Sequence, residues 1–146
     1  MTCPDDFSLE YSWHSGSVPP PYYYEYTVTI AADGRGQVTL LPDYPQHQPP
    51  LRRAEFFVPI QVVAQLCERM RAAGLFEHAW KTAEDNTGGG EGASMTVHVE
   101  GQLIHVPHLL PMMDGLRVAP VYELIRDLVS EAVERLRGST SGDIVE

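Results

Sequence analysis

The feature that most constrains this chain is period-two alternation of apolar and polar residues, which recurs in several short runs. In FSLEYSW, residues 7–13, Phe7, Leu9, Tyr11 and Trp13 fall on one side, and Ser8, Glu10 and Ser12 on the other. In residues 22–31, Tyr22, Tyr24, Tyr26, Val28 and Ile30 alternate with Tyr23, Glu25, Thr27 and Thr29. Such alternation marks strands buried on one face only. Asp33-Gly34-Arg35-Gly36 is a turn signal, and Gln37–Leu41 resumes the pattern, so 22–41 is predicted to be a β-hairpin. A second hairpin is predicted over 95–106. Met95, Val97 and Val99 alternate with Thr96, His98 and Glu100, Glu100-Gly101 turns, and Gln102–Val106 returns. A two-residue turn sets Val97 opposite Ile104 and Met95 opposite Val106.

Helical periodicity occupies two other stretches. In residues 58–76, Val63, Leu66, Cys67 and Met70 repeat at helical spacing, with Pro59 suited to the first turn and Gly74 to the stop. In residues 120–138, Val121, Leu124, Ile125, Leu128, Ala132 and Leu136 form the stripe, opened by Pro120 and closed by Gly138. The proline-rich stretch 42–53, the glycine-rich stretch 82–92 and residues 107–119 are predicted loops. Residues 139–146 read as a flexible C-terminal tail. The expected fold class is α+β: a single domain over residues 1–138, in the order β-β-β-α-β-β-α. Its single, mainly antiparallel five-stranded sheet packs two helices on its apolar face.

Two conspicuous motifs carry little chemistry. Pro19-Pro20-Pro21-Tyr22 fits the short pattern that proline-binding WW domains read, but Tyr22 is expected to open a strand. The prolines then serve as an extended lead-in, since proline at a strand start loses no ladder bond. The glycine-rich loop lacks a preceding strand, a following helix and a Gly-Lys-Ser/Thr signature, so it is read as a connector and not as a phosphate cradle.

The formal net charge of −10 opposes binding to nucleic acid or to anionic lipid, both of which require a basic surface. The acids are scattered, which disfavours mimicry of nucleic acid, although an acidic inhibitor of that kind stays among the alternatives. No apolar run approaches the length of a membrane span, and the acidic N-terminus lacks the layout of a secretory signal, so a cytoplasmic location is expected. In that setting Cys3 and Cys67 are expected to be free thiols.

The stretch PPPYYYEYTVTI, a glycine-containing turn, LPDYP, a helix ending AAGLF, and a tryptophan followed by Gly-Gly before a strand together resemble a family of small bacterial α+β proteins of unknown function. The resemblance would span roughly residues 7–135. It implies the fold and brings no catalytic residues with it.

The remaining candidates are side chains brought together by strand pairing. His98 and His105 become diagonal neighbours on one face of the second hairpin. With a carboxylate such as Glu25 or Glu100 they could hold a zinc or iron ion, although no compact HxH, HExxH or CxxC spacing supports it and no cofactor is expected. No serine lies in a nucleophile elbow and neither cysteine neighbours a histidine in sequence. Glu10 and Glu25 share a face, where glutamates are ordinarily just solvated. Leu109, Leu110, Met112 and Met113 form an apolar loop that either caps the core or contacts a partner.

These readings converge on a non-enzymatic binding or accessory module that holds a protein partner or a second copy of itself. Two surfaces are candidates: the polar sheet face bearing Tyr23, Glu25, Thr27, Thr29 and His98, or the 107–119 loop. The alternative is a metal- or small-molecule-binding protein centred on His98 and His105.

Overall fold

A computed structural model describes residues 3–16, 18–19, 22–83 and 92–138, together with the backbone of 144–145. The strands are β1 (Ser8–His14), β2 (Glu25–Ala31), β3 (Arg35–Leu41), β4 (Arg52–Phe57), β5 (Gly92–Val99) and β6 (Gln102–Val106). The helices are α1 (Ile60–Ala72) and α2 (Met112–Arg137). The six strands pair antiparallel in the order β6-β5-β1-β2-β3-β4, and a two-residue strand β7 (Ile144–Val145) runs parallel to β4 at its outer edge. The class is the expected α+β. The sheet gains β4, and two residues of the supposed tail join its edge.

The alternation does what its period demands. Leu9, Tyr11, Tyr26, Val28, Ile30, Val38, Leu40, Met95, Val97 and Val106 are all buried, and the residues between them are exposed or half-buried. Against this floor lie Val63, Leu66, Cys67 and Met70 of α1 and Val121, Ile125, Val129, Ala132 and Leu136 of α2, in one continuous core. The second hairpin has the anticipated register, with Val97 opposite Ile104 and Met95 opposite Val106. Helix α1 stops as expected: the Leu75 amide bonds the Met70 carbonyl at 3.0 Å and the Gly74 amide bonds Arg71 at 2.9 Å, the Schellman closure.

Four expectations need correction. First, residues 52–57 are a strand. Ala54 is the only fully buried side chain there, and Arg52 occupies an inward position, so the hydrophobic signal is faint. Arg52 fits because its Nη1 donates to the carbonyls of Leu136 (2.9 Å) and Arg137 (3.3 Å), capping the negative end of α2.

Second, β2 begins at Glu25, not at Tyr22. Tyr22 is exposed, and its amide bonds the Pro19 carbonyl at 2.9 Å, not a neighbouring strand. Pro20 and Pro21 lie outside the described residues, as does the glycine-rich stretch from 84 to 91.

Third, most of the supposed loop 107–119 is helix. α2 begins at Met112 and continues through Pro120. Proline removes one intrahelical bond, to the Leu116 carbonyl. Both residues are exposed, so water can satisfy that oxygen.

Fourth, Cys3 and Cys67 form a disulfide across a sequence separation of 64, with Cα atoms 5.9 Å apart. The segment before β1 runs against α1, a proximity that neither cysteine's local sequence encodes.

Candidate functional site

Both helices cover the same side of the sheet, so the alternate residues of six strands form a second face that, among the described residues, no helix covers. Two transverse rows define it. In one, Leu103 faces His98, His98 faces Ser8 and Ser8 faces Ala31; across the β2–β3 turn, Arg35 faces Phe57. In the other, His105, Thr96, Glu10, Thr29, Gln37 and Glu55 are successive cross-strand partners. A trough of about 1030 Å³ lies over these rows, lined among others by Glu10, Thr29, Arg35, Glu55 and His98. Its ends carry two large apolar side chains, Leu103 on β6 and Phe57 on β4, exposed at 71% and 69%. The trough is therefore polar in the middle, with an apolar post at each side.

The predicted face residues separate along the strands. Thr29 and His98 line the trough. Thr27 lies one row away, half-buried, with its hydroxyl 3.3 Å from that of Ser12. Glu25 and Tyr23 are not part of an open surface. Tyr23 is only 7% exposed because Tyr44, from the proline-rich loop, stacks on it with ring centroids 3.9 Å apart and planes at 14°. The Tyr23 hydroxyl donates to the Glu25 carboxylate. Burial, reinforced by that bond and by the charge of Glu25, raises the Tyr23 phenol far above its ordinary value and keeps it a neutral donor. The Tyr44 hydroxyl in turn donates to the Val18 carbonyl, which fastens the loop over Tyr23. This pair closes the far end of the sheet.

His98 and His105 occupy the diagonal positions that the hairpin register requires, but each imidazole bonds elsewhere. His105 Nδ1 lies 3.0 Å from the Thr96 hydroxyl, and His98 Nδ1 lies 3.2 Å from the Asp6 carbonyl oxygen. Glu25 is engaged by Tyr23 at the opposite end of the strands. Among the described residues, no three His, Cys, Asp or Glu side chains gather into a group able to hold a metal ion. Asp6 has a structural task beside this site. Its carboxylate accepts the amides of Glu100 and Gly101, both at 2.9 Å, across the β5–β6 turn, and these bonds hold its pKa below the ordinary 3.8.

The apolar cluster before and within α2 divides in two. Leu109 and Leu110 are half-buried, and Leu110 packs against the core, whereas Met112, Met113 and Leu116 are exposed. Sequence reasoning missed Phe57 and Leu103 as surface features. The signal for Leu103 was available, since the hairpin register already placed it opposite His98. Phe57 became visible only with β4.

Among the described residues, no helix is long and apolar enough to cross a membrane. No protein-family model matches the chain, and no curated protein is similar enough to it to count as a relative. Neither comparison supplies site residues to carry over.

Proposed function

We propose that this protein is a non-enzymatic binding module that holds a protein partner on the uncovered face of its sheet. The observation that supports the reading is the trough over that face, with Leu103 and Phe57 standing exposed at its two sides. Large exposed apolar side chains flanking a polar floor suit a partner that brings apolar anchors and a mixed polar middle. Glu10, Glu55 and Arg35 give that floor both signs of charge, which favours register over simple electrostatic attraction.

The test compares three forms of the protein in affinity capture followed by mass spectrometry. These are the natural chain, a face variant (Glu10→Arg, Phe57→Ser, Leu103→Ser) and a helix variant (Met112→Ser, Met113→Ser, Leu116→Ser). All changed positions are exposed, so circular dichroism and melting should stay close to those of the natural chain. A partner, or a second copy, held by the natural chain and the helix variant but lost by the face variant supports the sheet face. A partner lost only by the helix variant moves the site to the start of α2. A partner kept by both variants overturns the reading.

A further inference from the structure

A second site lies on the opposite side of the molecule, between α2 and the ends of β1 and β5. A hollow of about 240 Å³ is lined there by Trp13, His108, Leu110, Val118, Tyr122 and Arg126, among others. A neighbouring hollow of about 390 Å³ shares Trp13 and Arg126 and continues along α2 past Tyr24 and Tyr26.

Two groups here are chemically incomplete. Tyr122 is only 7% exposed, yet its hydroxyl has no hydrogen-bond partner among the described residues. A buried hydroxyl left in that state costs stability that a bonding partner would restore. Arg126 is half-buried, and among the described residues it forms no hydrogen bond and no ion pair. Four other arginines, Arg35, Arg71, Arg135 and Arg137, do pair with acids. Burial, and then the neighbouring Tyr11, raises the Tyr122 phenol above its ordinary value, and the positive charge of Arg126 opposes this. Both residues line the first hollow, and both are donors.

The rest of the first hollow is lined by apolar or neutral residues, while Glu134 lines the neighbouring one. Trp13 forms an aromatic wall, backed by Tyr26 with ring centroids 5.4 Å apart and planes at 29°. His108 touches His14 through their Nε2 atoms. The Gly16 amide donates to His14 Nδ1 at 3.1 Å, so the proton of neutral His14 sits on Nε2 and is given to His108. Burial, and then the charge of His14, holds the His108 pKa below its ordinary 6.5. That tautomer also spends the His14 lone pair a metal would need. Gly92 makes room for the pair, because a β-carbon there would lie 2.0 Å from His108 Nε2 and 2.8 Å from His14 Nε2.

We propose that this hollow binds a small aromatic monocarboxylate, its carboxylate held by Arg126 and the Tyr122 hydroxyl and its ring lying against Trp13. Guanidinium and phenol are complementary to a planar carboxylate, and the Trp13 indole offers a face on which an aromatic ring can stack.

The probe is benzoate, titrated against the full chain and followed by the indole resonances in NMR and by melting temperature. Benzamide serves as the neutral isostere and inorganic phosphate as the ringless anion. Benzoate should shift the Trp13 indole and raise the melting temperature, while benzamide and phosphate do neither. Arg126→Gln should weaken benzoate binding roughly 10- to 100-fold, and Tyr122→Phe about 3- to 10-fold. Tyr122→Phe should leave the melting temperature of the free protein equal or higher, because its hydroxyl has no bond to lose. No response to benzoate, or an unchanged response in Arg126→Gln, would overturn the site. An equal response to phosphate would overturn the ring-bearing ligand class, and a Tyr122→Phe variant that melts lower with unchanged affinity would make Tyr122 purely structural.

Discussion

The turn between β2 and β3 offers a measurement in which the geometry sets the size of the effect. Gly34 has φ of +92°, and a β-carbon built there would lie 2.1 Å from the Val58 carbonyl oxygen. The Gly34 carbonyl also accepts the Val58 amide at 2.8 Å, so the turn is clasped to the entry of α1. Gly34→Ala therefore meets backbone on the far side, and no side chain can rotate away to relieve it. Positive φ costs an L-residue about 1–2 kcal/mol. Opening the clasp to admit the methyl costs about 0.5–1.5 kcal/mol more for the hydrogen bond. The narrower unfolded ensemble of alanine returns about 0.4–1 kcal/mol.

The net expectation is a loss of roughly 1–3 kcal/mol, or several degrees in melting temperature at about 2–4 °C per kcal/mol for a chain of this size. Gly101→Ala is the internal control. Its φ is +74°, but a β-carbon there meets nothing within 4 Å, so it carries the backbone cost alone. Urea unfolding of both variants should give the Gly34 change a loss about 1 kcal/mol larger. Equal losses would refute the close approach of Val58, and with it the clasp between the first hairpin and α1.

Two further outcomes follow from the covalent and electrostatic ties. The Cys3–Cys67 bridge closes a sequence separation of 64, so reduction, or Cys3→Ala, should lower stability by roughly 2–4 kcal/mol in urea unfolding; identical midpoints with and without reductant would remove the bridge from the folded state. Asp6 has a folded pKa below the ordinary 3.8, so its contribution is present above that pH and is lost as pH falls through the depressed value. Asp6→Ala should therefore lower stability at neutral pH and flatten the loss that sets in as pH falls below the ordinary carboxylate range; an unchanged acid limb would show that the Glu100 and Gly101 amides do not depend on this carboxylate.

The sequence by itself determined what is local and periodic. Alternation at period two named the buried face of β1, β2, β3, β5 and β6, because successive side chains of a strand must point to opposite sides. Helical spacing named the buried stripe of both helices, and Gly74 marked the end of α1. From the same pattern the chain had to own an uncovered polar face, and Thr29 and His98 could be placed on it. Tertiary structure decided whatever depends on partners distant in sequence. Arg52 reads as a loop residue until the end of α2 arrives to accept its hydrogen bonds, so β4 and its exposed Phe57 stayed hidden. Tyr23 reads as a surface residue until Tyr44 stacks over it. Cys3 and Cys67 read as separate thiols until the segment before β1 meets α1. Arg126 and Tyr122 lie one helical turn apart on α2, yet only the packing around Trp13 leaves, among the described residues, the guanidinium without a counter-ion and the hydroxyl without a hydrogen bond. Each of these is a long-range contact, set by which surfaces can be buried together once the strands have paired, and local residue patterns carry no record of it.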